Sequence, residues 1–211
     1  VNFHVIVLGA GGHSKVLIDS LSLSSIEVLG IADVNPLTKG SSFMGLPVIG
    51  GDEEVMKYSA ENTGLVNGVG SVRVITKRRL LFEQFKRMGY QFFSVVHPSA
   101  VIAFDAVLSE GVQIMAGVVI QSGCHIGINA IINTHASIDH DCFIGAHAHI
   151  SPGVTLSGGV SVGDGAYIGA GATVIQGIKV GRESLVAAGA VVVRDVRDGA
   201  KVFGVPAKEG L

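Results

Sequence analysis

The chain has 211 residues, enough for two modest domains or one larger one, and its formal net charge of −2 gives no reason to expect nucleic acid or an anionic membrane surface as a partner. Hydrophobic residues make up 48% and mean hydropathy is +0.53, yet no apolar run reaches the roughly 18 residues that a membrane-crossing helix needs. Glycine, at 30, far outnumbers proline, at 5, which points to a turn-rich repeat and not to a disordered chain.

The first eight residues lack a basic stretch and read as a strand, so no secretory leader is expected and a cytoplasmic location is. His4–Leu8 is a buried strand, Gly9-Ala10-Gly11-Gly12-His13 a glycine-rich turn, and residues 14–23 have helical spacing with Val16, Leu17 and Leu21 on one side. Residues 26–31 form the next strand, ending at Ala32-Asp33. Gly9 and Gly11 match the first two glycines of the dinucleotide fingerprint, but Ser14 stands where the third would be. Backbone N–H groups at a helix N-terminus favour phosphate, and an acid about twenty residues on accepts ribose hydroxyls, which is the place of Asp33. The alternative is a tight turn with no ligand.

Residues 34–51 read as loop, with residues 46–50 as a short edge element, and Asp52-Glu53-Glu54 cap a short helix through residue 58. Residues 64–70 are a third strand and glycine turn. Residues 72–88 are amphipathic, and their cations (Arg73, Lys77, Arg78, Arg79, Lys86, Arg87) read as a solvated helix face or as a contact for an anionic ligand. Residues 90–94 are a last strand. The first 93 residues thus form a small Rossmann-like domain, better sized for a mononucleotide than a dinucleotide.

From Val96 the chain repeats in sixes. Every sixth residue from Val96 to Val192 is aliphatic, as at Ile114, Ile138, Ile150 and Val174. Stepping from Ala100 gives small or β-branched residues as far as Val196, among them Cys124, Ala148 and Ala166, each usually preceded by a turn former such as Gly111, Asn129 or Gly153. Such a unit is one short strand and a corner. Three units close a triangular coil of 18 residues, and coils stack about 4.8 Å apart through parallel strand hydrogen bonds. Residues 18 apart then stand above one another in a prism roughly 25 Å tall. Periodicity does not give its handedness. Cys124 and Cys142, 18 apart, stack on inward small positions and read as reduced packing residues. The chain leaves the prism at Asp198-Gly199, and residues 202–208 are an extended tail suited to cover its open end.

Four of the eight histidines, His135, His140, His147 and His149, crowd one coil, none at an inward position, so all can reach solvent or a partner. His140 stacks above Ser122 and below Gly158, between Asp139 and Asp141. A histidine whose tautomer is fixed by a carboxylate is a general base near neutral pH. Ordinary surface histidines and a metal site are the competing readings. Against metal, His140 and His147 fall on different hexads and no cysteine faces outward.

Taken in order, Gly9 to His13, Gly30 to Pro36, His97-Pro98-Ser99-Ala100, Asn133-Thr134, Asp139-His140-Asp141-Cys142 and Val202 to Lys208 resemble the NeuD/PglD family over nearly the whole chain. These are hexapeptide-repeat acyltransferases of bacterial surface-sugar biosynthesis. The resemblance implies an α/β Rossmann-like domain over residues 1–93, then a left-handed parallel β-helix over residues 94–211. It also implies a homotrimer, acetyl-CoA as cosubstrate between neighbouring prisms, and a nucleotide-activated amino sugar on the first domain. By the same resemblance His140 is the catalytic base and Asp141 orients it. His149 lies near the thioester as an oxyanion-side donor, Asn133 near the acceptor, and Ala170 and Ala188 make backbone contacts to the coenzyme. Gly11, Gly12, His13 and Asp33 fall on the nucleotide-sugar site. This chain departs at Val34, where many members carry a second acid.

The expected activity is acetyl-CoA-dependent N-acetylation of the 4-amino group of a nucleotide-linked 4-amino-4,6-dideoxy sugar. Transfer is expected to be direct, since Cys142 points inward and cannot serve as nucleophile. The alternatives are sialic acid O-acetylation within the same family, a non-catalytic β-helix binding module, and a nicotinamide oxidoreductase. The missing third glycine and the short domain argue against the last of these.

Overall fold

The computed structural model describes residues 4–70 and 76–210. The chain divides into two compact units, Val1–Val95 and Val96–Leu211. No helix among the described residues is long and apolar enough to cross a membrane.

The first unit is a five-stranded sheet with helices. Its elements are β1 (His4–Leu8), α1 (Gly12–Ser22), β2 (Glu27–Ala32), β3 (Ser42–Phe43), β4 (Leu46–Gly50), α2 (Asp52–Val55), β5 (Thr63–Asn67) and α3 (Thr76–Arg87). The strand order is β3-β4-β2-β1-β5, parallel except for the β3–β4 hairpin. β1 is central, and Val5, Ile6 and Val7 have no exposed surface, as an uninterrupted apolar run requires when both sheet faces are covered. Gly30 lets β4 lie close to β2, because a Cβ there would come within 2.8 Å of the Pro47 carbonyl. The chain winds outward from β1 through β2 to β4, then returns to place β5 on the other side of β1. In open α/β sheets such a reversal is where ligands bind, here at the carboxyl ends of β1 and β5.

Four local expectations change. Residues 46–50 are an inner strand, paired with β2, because Met44 (φ 51°) and Gly45 (φ 81°) turn β3 back as the true edge. The helix expected through residue 58 ends at Val55. Residues 90–94 make only a single bridge, Leu65 to Phe92, with Phe92 and Tyr90 committed to the aromatic core beside Phe82 and Phe85. Arg78 is not on a solvated face. It is buried, its Nη1 donates to the carbonyls of Asn67 (2.6 Å) and Val69 (3.0 Å), and burial pushes its pKa down to about 9. Arg73 and the start of the expected helix at residue 72 lie outside the described residues.

The second unit is the prism. Two-residue strands recur every six residues, and each pairs in parallel with the strands 18 residues before and after, as Ser137 does with Val119 and Thr155. The aliphatic and small positions from residue 112 to 174 are all inward and buried, in one continuous core. Cys124 and Cys142 are free thiols in that core, and burial pushes Cys142 up to about 11. The last coil departs from the repeat. Val196 bridges Val180, and Lys201 pairs with Leu185, at spacings of 16 residues in place of 18. Val196 therefore stands on the aliphatic position, not the small one, because the closing coil is two residues short. The tail does not merely extend: Lys201–Phe203 continues a prism sheet, and Lys208–Glu209 folds back antiparallel upon it. Arg197 Nη2 grips both carboxylate oxygens of Glu209 at 2.7 Å.

Candidate active site

The corner that joins the strands Ser137–Ile138 and Phe143–Ile144 consists of Asp139, His140, Asp141 and Cys142. Ile138 and Cys142 anchor it inward, so the three residues between them are exposed. Asp141 takes a left-handed backbone conformation, φ 58°, where the coil below has Gly123 and the coil above Gly159. That conformation swings its carboxylate back to the preceding ring, and His140 Nδ1 lies 2.8 Å from Asp141 Oδ2. The Asp139 carboxylate accepts the His140 backbone N–H at 2.8 Å. Hydrogen bonding to Asp141, then the charge of Asp139, raises the His140 pKa above the ordinary 6.5. With Nδ1 committed to a carboxylate, Nε2 is the lone pair left to take a proton.

The Nε2–Cε1 edge of the ring lies over the bare α-carbon of Gly158, one coil above. A Cβ there would come within 2.5 Å of Nε2 and 2.6 Å of Cε1. One coil below, Ser122 Oγ donates to Asp105 Oδ2 at 2.7 Å, a bond that holds the Asp105 carboxyl below its usual range. The imidazole is thus fixed from its own corner and unobstructed above. Gly158 has no positive φ, so alanine fits its backbone, and only the ring must yield. Gly158→Ala is expected to leave the melting temperature nearly unchanged and to lower turnover by about a hundredfold, as ångström-scale misplacement of a reacting group does. Paired calorimetry and steady-state kinetics would test this.

The other candidates on the prism lie elsewhere. Asn133, Ala170 and Ala188 fall on the preceding corner, after the strands Ile131–Ile132, Tyr167–Ile168 and Leu185–Val186. Asn133 Oδ1 accepts the Thr134 N–H at 2.8 Å, and its Nδ2 lies 3.4 Å from His149 Nε2. Contrary to expectation, His149 is not open to solvent: it is 6% exposed, with its ring edge-on to Tyr167 at 5.1 Å. Ala170 and Ala188 share the hexad phase of His140 but stand 30 and 48 residues beyond it, neither a multiple of 18, so they occupy a different corner. Within one chain, His140 and Asp141 form one set, and Asn133, His149, Ala170 and Ala188 another.

In the first unit the glycine turn opens directly into α1, which begins at Gly12, earlier than expected. No side chain caps the helix and its first turn carries no acid, and the first N–H groups of an α-helix find no acceptor within the helix itself. Asp33 Oδ2 accepts the Ala10 N–H at 2.7 Å, and Oδ1 the Asn35 N–H at 2.9 Å. The structure therefore brings Gly11, Gly12, His13 and Asp33 together. Ser14, in place of the third fingerprint glycine, is buried and its hydroxyl lies within hydrogen-bonding distance of the carbonyls of Gly9 (2.5 Å) and Gly68 (3.0 Å), the loops after β1 and β5. In sequence this serine reads only as a departure from the fingerprint. A cleft of about 240 Å³ adjoins Asp33, lined also by Val34, Pro36, Lys39, Gly51 and Glu53, and spacing gave no sign of it.

Residues 4–85 match the family described as PglD N-terminal domain, residues 141–176 the bacterial transferase hexapeptide, and residues 159–194 the hexapeptide repeat of succinyl-transferase. Curated protein sequences give no match. Among solved structures, PerB from Caulobacter crescentus, in complex with CoA and GDP-perosamine, is 39% identical with a TM-score of 0.91, covering 100% of this chain and 98% of that one. A histidine-to-asparagine variant of perosamine N-acetyltransferase from the same organism, with the same ligands, is 38% identical with a TM-score of 0.92 and the same coverage. The acetyltransferase domain of PglB from Neisseria gonorrhoeae, in complex with acetyl coenzyme A, is 35% identical with a TM-score of 0.87, covering 99% of this chain and 100% of that one.

Proposed function

The chain belongs to the NeuD/PglD-like family of hexapeptide-repeat sugar acyltransferases, and from that premise we propose that it N-acetylates the 4-amino group of a nucleotide-linked 4-amino-4,6-dideoxy sugar. Acetyl-CoA is the acetyl donor, and the reaction serves surface-glycan synthesis in the cytoplasm. The observation that carries this reading is the His140–Asp141 pair, 2.8 Å apart, on a corner with no side chain directly above it.

The amine nitrogen attacks the thioester carbonyl carbon. A C–N bond forms, the C–S bond breaks, and His140 Nε2 takes the proton that the nitrogen sheds. The imidazolium, held by Asp141 and faced by Asp139, returns a proton to the departing thiolate. No covalent acyl-enzyme is needed, and Cys142, protonated and buried, has no part in the step. The N–H groups at the start of α1 receive the diphosphate of the activated sugar, and Asp33 the ribose.

Because the two prism sets lie on different corners, a complete site draws His140 and Asp141 from one copy and Asn133, His149, Ala170 and Ala188 from a neighbour. A homotrimer supplies three such pairings, and light scattering reads its mass.

The test is release of CoA thiol from acetyl-CoA with GDP-, UDP- and dTDP-linked 4-amino-4,6-dideoxy sugars and with sialic acid. Turnover with an amino sugar is the expected result. Turnover with sialic acid alone would move the acceptor to a hydroxyl, and none with any of them would remove the 4-amino-4,6-dideoxy sugar as acceptor.

A further inference from the structure

On the reading that the first unit holds the nucleotide of an activated sugar, we propose that the cleft beside Asp33 is the nucleobase pocket and that Glu53 selects guanine there. The cleft lies at the carboxyl ends of β2 and β4, and Asp33 forms its wall towards the glycine turn, through the bond to Ala10. A diphosphate on the first turn of α1 and a ribose at Asp33 leave the base to enter this cleft. Each Asp33 oxygen already accepts one backbone N–H, and each retains a lone pair for a ribose hydroxyl.

The lining suits a flat, polar-edged ring. Val34 and Pro36 offer apolar surface, and the Glu53 carboxylate, also in the lining, lies over the bare α-carbon of Gly51, where a Cβ would stand 2.5 Å from Oε2 and 3.0 Å from Oε1. Three acids follow one another here, and two are engaged. Asp52 accepts from Gln84 at 3.4 Å, and Glu54 binds Lys39 at 2.7 Å and Lys57 at 2.6 Å. Among the described residues Glu53 has no hydrogen-bond partner.

A carboxylate is an acceptor at both oxygens, so it matches a base edge that presents two adjacent donors. Guanine does so, with N1–H beside its 2-amino group. Uracil and thymine offer one N–H between two carbonyls, which sets the second carboxylate oxygen against a carbonyl. Adenine and cytosine place an acceptor ring nitrogen beside their amino group. The Lys39 ammonium, also in the lining, suits the O6 side of guanine. Independently of this chemistry, the Caulobacter crescentus relative was solved with GDP-perosamine.

The test is calorimetric binding of GDP, IDP, UDP and dTDP to the full chain and to Glu53→Gln, with thiol release measured in parallel. IDP lacks the 2-amino group and so isolates that contact. The wild type is expected to bind GDP at least about tenfold more tightly than IDP, UDP or dTDP, the scale of one bidentate base contact. Glu53→Gln is expected to reduce GDP affinity by a similar factor and to bring GDP and IDP within about threefold of each other. Glu53 is exposed, so the variant should melt as the wild type does. Equal binding of all four nucleotides, or an unchanged GDP to IDP ratio in the variant, would overturn the guanine assignment while leaving the transferase reading intact. Failure of every nucleotide to bind would overturn the nucleotide reading of the first unit as well.

Discussion

Replacing His140 by alanine lowers turnover of the amino sugar by about a thousandfold, the range of a lost general base, and leaves coenzyme affinity within about twofold. Fold and melting temperature stay at wild-type values, because the ring is exposed and outside the core. Retained turnover, or loss of coenzyme binding in step with turnover, would contradict the role. Asp141→Asn refines the same expectation. The imidazole must be neutral to accept a proton, so kcat/KM falls as pH drops through the His140 pKa. Hydrogen bonding to Asp141 is the largest cause that raises that pKa above 6.5. Asp141→Asn therefore moves the acid limb to lower pH, towards 6.5, and also lowers the plateau, because an amide no longer holds the tautomer. A pH profile of the variant set against the wild type reads both effects.

The largest expected loss of stability comes from a small inward position. Ala166 stands between Ala148 and Ser184, one coil below and one above, and none of the three has more than 1% of its surface exposed. Leucine there inserts three carbons into a column with no outlet, at a cost of about 2–3 kcal/mol. Each coil rests only on its neighbours, so the damage also weakens the stacking on both sides. Urea denaturation should show a lower midpoint. Thr155→Leu, which introduces the same side chain on an exposed outward position, should leave the unfolding free energy within about 0.5 kcal/mol of wild type. Equal losses at the two sites would mean that the inward register is not what holds the prism.

The prism was legible because its signal is redundant. Each inward residue is one of a long arithmetic series, so the stacking of Ser137 on Val119 follows from counting. The same counting misassigned Val196, because a coil shortened to 16 residues still places an aliphatic residue in the expected phase. Hexad phase also does not tell one corner from another. That is why Ala170 and His140 look equivalent in sequence and stand apart in the structure. The α/β unit was less legible in detail. Met44 is no ordinary turn former, so the hairpin that makes β4 an inner strand gave no warning. In sequence Arg78 reads as one more surface cation, and only the fold brings it to its partners, the carbonyls of Asn67 and Val69. The cleft beside Asp33 gathers residues from two separate stretches, 33–39 and 50–53, a proximity that no local pattern encodes.

The two periods of the prism, 6 for its core and 18 for its corners, constrain how such a gene can change in length. A single inserted hexad near residue 145 keeps every inward residue inward and the fold stable, yet turns everything above it by one face. His149, Ala170 and Ala188 would then project from a different corner relative to His140. Viable insertions and deletions between these residues thus come in whole coils, 54 nucleotides at a time, and a one-hexad change is invisible to folding but lethal to chemistry. Only the final coil, already two residues short, lies beyond that rule.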